Sequence, residues 1–92
     1  MSTFIMFGKY SHGSIKDISA ERTQKASQLI SNNGGSVKSG YALLGDTDLV
    51  LVVDFPSIGD AMKASVGLTK LLGISFSTAP AVSMEEFDKL VG

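Results

Sequence analysis

Two runs without a polar residue constrain this chain most: Phe4-Ile5-Met6-Phe7 near its start and Leu49-Val50-Leu51-Val52-Val53 near its middle. Both are short, bounded by turn residues and rich in aromatic or β-branched side chains, so each reads as a strand. Successive side chains of a strand point to opposite faces. A strand apolar at every position is therefore covered on both faces, as the central strands of a sheet are. Any fold for this sequence has to place these two strands inside a sheet and cover both of its faces.

The segments between them set the order of elements. Thr3–Tyr10 forms the first strand and stops at the turn-like Ser11-His12-Gly13-Ser14. From Ser14 to about Asn33 the period becomes helical, with Ile15, Ile18, Arg22, Ala26, Leu29 and Ile30 on one stripe. Ser19 suits a helix cap, which predicts a break near Ile18 and a second start. Asn32-Asn33-Gly34-Gly35 supplies the stop. Ser36–Leu44 reads as a second strand diluted by Lys38, Ser39 and Gly40, and Gly45-Asp46-Thr47-Asp48 as a tight hairpin into the third strand, Leu49–Phe55. After Pro56, Ser57-Ile58-Gly59-Asp60 resembles a capping box and opens a second helix with Ile58, Ala61, Met62, Ser65, Leu68 and Leu72 on its stripe. Gly73 ends it. Ile74–Ala79 is the fourth strand, and Ser83-Met84-Glu85-Glu86 caps a short helix to about Val91.

The order β-α-β-β-α-β plus a tail helix is the split βαβ, ferredoxin-like arrangement, an α+β fold with a four-stranded antiparallel sheet. Its first and third strands are central and its second and fourth lie at the edges, which matches the apolar and the diluted strands. Two helices cover one face of such a sheet. The other face keeps an apolar patch that monomers rarely expose, so the pattern predicts a homodimer or a multiple of dimers, two sheets face to face in a dimeric α/β barrel.

Composition narrows the function. The 92 residues suit a single domain over 1–92, and 43% hydrophobic content with a net charge of −1 is unlike a disordered tail. Seven Lys and one Arg, scattered among nine acidic residues, predict no nucleic-acid partner. The absence of Cys removes disulfides, thiolate nucleophiles and zinc fingers, and is compatible with a cytosolic home. The start lacks the basic region of a secretory signal, and Leu49–Val53 is far shorter than the roughly 20 residues of a membrane span. The expectation is a soluble cytoplasmic protein with no membrane partner.

Several short segments resemble the GYD domain family of small bacterial and archaeal proteins: Phe7-Gly8-Lys9-Tyr10-Ser11, then Asn33-Gly34-Gly35, most strongly Tyr41-Ala42-Leu43-Leu44-Gly45-Asp46-Thr47-Asp48-Leu49-Val50, and the stretch from Phe76-Ser77-Thr78 to Glu86-Phe87. The resemblance covers about residues 4–90. It implies a ferredoxin-like, dimeric fold and no established activity. Thr47 stands where the family usually carries the Tyr of its name, so any role of that phenol is absent here or filled by a shorter hydroxyl.

The residues offer few parts for chemistry. His12 is the only His, and beside Lys9 and Tyr10 it is the best candidate for a general base, with Tyr10 as its partner, against the plainer reading of an exposed loop residue. Asp46 and Asp48 could bind a ligand, but carboxylates in such a loop ordinarily bond to nearby backbone; too few oxygens gather there for a metal site. Tyr10 and Tyr41 could point into one pocket or simply pack on strands. No phosphate loop or nucleophile elbow occurs, and no cofactor is expected. Met6, Met62 and Met84 read as core filler.

These features favour an oligomeric module that binds a small apolar or aromatic molecule in a cleft between sheet and partner subunit, with Lys9, Tyr10, His12 and Tyr41 at its rim. The rivals are a cofactor-independent monooxygenase, isomerase or decarboxylase of the dimeric barrel type, with His12 abstracting a proton, and an adaptor that docks another protein on an edge strand.

Overall fold

The computed structural model describes residues 1–92. Strands β1 (Ser2–Tyr10), β2 (Ser36–Ala42), β3 (Leu49–Phe55) and β4 (Ile74–Ala81) form one antiparallel sheet in the order β2-β3-β1-β4. Helices α1 (Ala20–Asn32) and α2 (Ile58–Leu72) connect them and pack on one face, and α3 (Met84–Val91) follows β4. The two polar-free runs are the central strands, as their texture requires. No helix is long and apolar enough to cross a membrane.

The capping signals act where the sequence places them. Residues Ser14–Asp17 form a single 3-10 turn, Ile18 is extended, and the Ser19 hydroxyl accepts from the Arg22 N–H at 3.1 Å to start α1. Gly34 takes a φ of 76° just past the end of α1, while Gly35 N–H donates back to the Ile30 carbonyl at 2.9 Å. Ser57 and Ser83 cap α2 and α3 in the same way.

The core lies between the helices and the near face of the sheet. Phe4, Met6, Val53 and Phe55 project from β1 and β3 onto Ile30, Ala61, Ala64 and Leu68. The Phe4 and Phe55 rings meet edge to face, with centroids 5.8 Å apart.

Several details depart from the sequence pattern. The 3-10 turn rotates the chain ahead of α1, so Ile15 and Ile18 leave the stripe and are exposed. On α2 the buried line is Ala61, Ala64 and Leu68, with Ile58 and Met62 outside it, because small residues let the helix settle close to the sheet. Met6 is core, whereas Met62 and Met84 are exposed. Strand β2 ends at Ala42, so Leu43–Asp48 is a longer loop than a tight hairpin, closed by the Leu43 N–H on the Asp48 carbonyl at 2.8 Å. Strand β4 runs through Pro80, which an edge strand tolerates because the missing N–H can face away from the ladder.

The far face of the sheet carries no helix. Register places Ile5 beside Val52 and Ala79, and Phe7 beside Val50 and Ser77, on that side. Phe7 and Tyr41 are exposed there; Met84, Phe87, Leu90 and Val91 of α3 are exposed as well.

Candidate functional site

The core stops short of the end of the sheet where β1 finishes and β3 begins. There Ser19 and the α1 residues Thr23, Ala26 and Ser27 present small side chains, and β2 contributes Gly40. Small residues on facing walls leave a void, because close packing needs side-chain volume from both sides. The void is a cavity of about 390 Å³, walled chiefly by Ile30, Leu49, Leu51, Leu72, Ile74 and Phe76. Gly8 lies beneath it. A Cβ at Gly8 would stand 2.8 Å from Leu49 Cγ and 2.8 Å from Phe76 Cε1, so these two side chains bend over the glycine and make the floor. Gly8 thus serves a close approach and introduces no bulge, since β1 and β3 pair continuously from Ser2 to Gly8.

The polar side chains of the wall are Tyr10, Ser19, Arg22, Thr23, Ser27 and Tyr41. Arg22 is the only charged residue in its wall and the only arginine of the chain. Its guanidinium carbon lies 5.1 Å from the centre of the Tyr10 ring, and Nη1 donates to the Ser14 carbonyl. Stacking on a ring and a backbone acceptor together hold the guanidinium in one place. The chain's ion pairs are Lys25–Glu21, Lys38–Asp54 and Lys89–Glu85, so no carboxylate lies within 4.0 Å of Arg22. Asp17 and Glu21 share a shallow neighbouring depression with it.

The residues singled out from sequence are dispersed. Tyr10 stands at the cavity. Lys9, next to it, belongs to the opposite side of β1, and His12 is exposed in the following turn, outside the cavity wall. Tyr41 borders the cavity, but it pairs with Val50, one step out of phase with the Ala42–Leu49 pair. Tyr10 shares the phase of Gly8, which pairs with Leu49, so the register aims the two tyrosine rings at opposite faces. Asp46 is exposed in the loop, with the half-buried Thr47 after it.

Asp48 is bound up in the fold. Its N–H donates to the Gly8 carbonyl at 2.9 Å, its carbonyl accepts from Leu43, and its Oδ2 accepts from the Tyr10 N–H at 2.8 Å. No group of three or more His, Cys, Asp or Glu is arranged to hold a metal ion. The carboxyl of Asp54, at the other end of β3, has its acidity displaced. The Thr3 hydroxyl, donating at 2.7 Å, is the main cause that holds it below its ordinary value; desolvation opposes this, and Lys38 at 3.2 Å adds to the lowering.

Sequence reasoning missed Arg22 as a site residue, counting it only as a member of the α1 stripe. Its signal was a lone cation on a line of otherwise apolar positions.

The model of the GYD domain matches residues 4–91. No curated protein matches the chain significantly. Among solved structures, the leucine response regulatory protein of Mycobacterium tuberculosis is similar in fold, with a TM-score of 0.59 at 10% sequence identity, over 90% of this chain and 51% of that one. The chain therefore spans about half the length of that protein, and the likeness is one of fold. With nearly its whole length matched, from the first central strand to the last helix, the chain belongs to the GYD domain family.

Proposed function

We propose that this domain is an oligomeric module that binds a small molecule with an apolar body in the cavity between the sheet and α1. The observation that carries this reading is the cavity itself: about 390 Å³, walled chiefly by aliphatic and aromatic side chains, with a few polar groups among them. A small-molecule site has this build, an apolar enclosure with a few placed polar groups that fix orientation. The site lies on the helix side of the sheet, so ligand binding does not require a cleft shared with a second subunit.

The oligomer involves the other side. Ile5, Val50 and Val52 are half-buried without a covering layer, and Phe7 is 42% exposed between them. A second copy of the chain is the partner we assign to this face. Two such sheets present the same apolar pattern to each other, and a two-fold contact is self-complementary by construction.

Amide NMR spectra recorded while indole and cyclohexanol are added test the binding reading. Shifts concentrated at Thr23, Ala26, Leu51 and Phe76 support it. Shifts confined to Ile5, Phe7 and Val50, or none at millimolar probe, overturn it.

A further inference from the structure

We infer that the ligand of the cavity is an anion with an apolar tail, a small carboxylate whose head is received by Arg22. The inference rests on the binding reading above and adds the chemistry of the head group. An arginine at the wall of an apolar cavity costs desolvation, which a fold ordinarily offsets with a carboxylate of its own. Here it does not, because every ion pair of the chain involves a lysine and none involves Arg22.

The guanidinium is nevertheless held in position. Tyr10 supports its face at 5.1 Å, and the Ser14 carbonyl takes one N–H of Nη1. No other acceptor of the protein meets it, which leaves Nε and Nη2 to donate outward. A planar donor pair of this kind matches the two oxygens of a carboxylate. Tyr10 and Ser19 add hydroxyls to a wall that is otherwise mostly apolar.

The arrangement therefore distinguishes two ends of a ligand. The anionic head sits at Arg22 near the start of α1, and the tail runs inward over Leu49 and Phe76 toward Ile30. A cavity of about 390 Å³ lies at the small end of the range for such sites, which suits a short fatty acid or an arylalkanoate.

Calorimetric titration of the intact protein with octanoate and octanol, which share a tail, provides the test. Octanoate is expected to bind at least about tenfold more tightly, the usual advantage of a charge-assisted hydrogen bond over a neutral one. Arg22→Gln should remove that advantage while octanol binding persists. Equal affinity of the two probes, or a preference unchanged in Arg22→Gln, overturns the carboxylate assignment and leaves the cavity reading standing. Failure of both probes to bind overturns the cavity reading as well. A measurement on the unaltered protein covers the case in which the variant does not fold. The carbon-13 resonance of carboxyl-labelled octanoate should titrate at lower pH when bound than when free, because a guanidinium stabilises the carboxylate. An unshifted or raised titration counts against the inference.

Discussion

The backbone N–H of Tyr10 donates to Asp48 Oδ2 across 2.8 Å, tying the end of β1 to the loop between β2 and β3. This side chain spends its acceptor on the fold rather than on a ligand. Asp48→Ala leaves the strand-end N–H without its partner and should destabilise the domain by about 1–3 kcal/mol. Asp48→Asn keeps an acceptor and should cost less. Urea denaturation of both variants measures the difference, and equal costs would mean that the charge carries the interaction.

Gly8 is required by proximity. A methyl group there meets Leu49 and Phe76 at 2.8 Å each. Gly8→Ala should therefore cost about 1–3 kcal/mol, as overpacking of a filled site does. It should also disturb the cavity floor and weaken binding of apolar probes. A Gly8→Ala protein with unaltered melting temperature and probe affinity would show that the two side chains move aside freely.

Ala26 faces the void from α1. Ala26→Leu fills space without displacing a core side chain, so stability should hold or rise by about 0.5–2 kcal/mol. Binding of apolar probes should fall steeply in the same variant. Retained binding with raised stability would place the ligand elsewhere.

Phe7 is the most exposed large residue among the central positions of the open face. Phe7→Ser should leave the fold intact at a cost near 1 kcal/mol and shift the mass measured by size-exclusion light scattering toward the monomer. An unaltered protein that is already monomeric at high concentration contradicts the assignment of a second copy to this face.

Asp54 predicts a pH dependence. Its carboxyl is held below the ordinary value of 3.8, first by the Thr3 hydroxyl and then by Lys38. A lowered native value means that the unfolded chain takes up the proton first, so the stabilisation is complete above pH 3.8 and is lost as the pH falls below that value through the lowered one. Asp54→Asn and Thr3→Val should each flatten the acid limb of a stability profile. An acid limb unchanged in both variants would exclude this pair as its source.

Much of the architecture was legible in the sequence because its signals are local. Alternation and the polar-free runs identified the central strands, and serine caps and glycine stops set the helix ends to within a few residues. These follow from steric and hydrogen-bonding rules acting over a few neighbours. The break at Ile18 is of this kind, since Ser19 captures the Arg22 N–H wherever the rest of the chain lies. The cavity is of the other kind. Its emptiness depends on Ala26 and Thr23 facing Gly40, with Leu49 and Phe76 bent over Gly8, and these residues come from four strands and a helix. The same holds for the two tyrosines, whose opposite faces follow from pairing register, and for Arg22, whose lack of a carboxylate partner is a property of the packed chain. Sequence by itself determined the elements, their order and the two central strands. Tertiary structure alone decided where packing fails to close and which charge it leaves at the opening, because a void and an unmatched charge belong to pairs of distant segments and to neither segment alone.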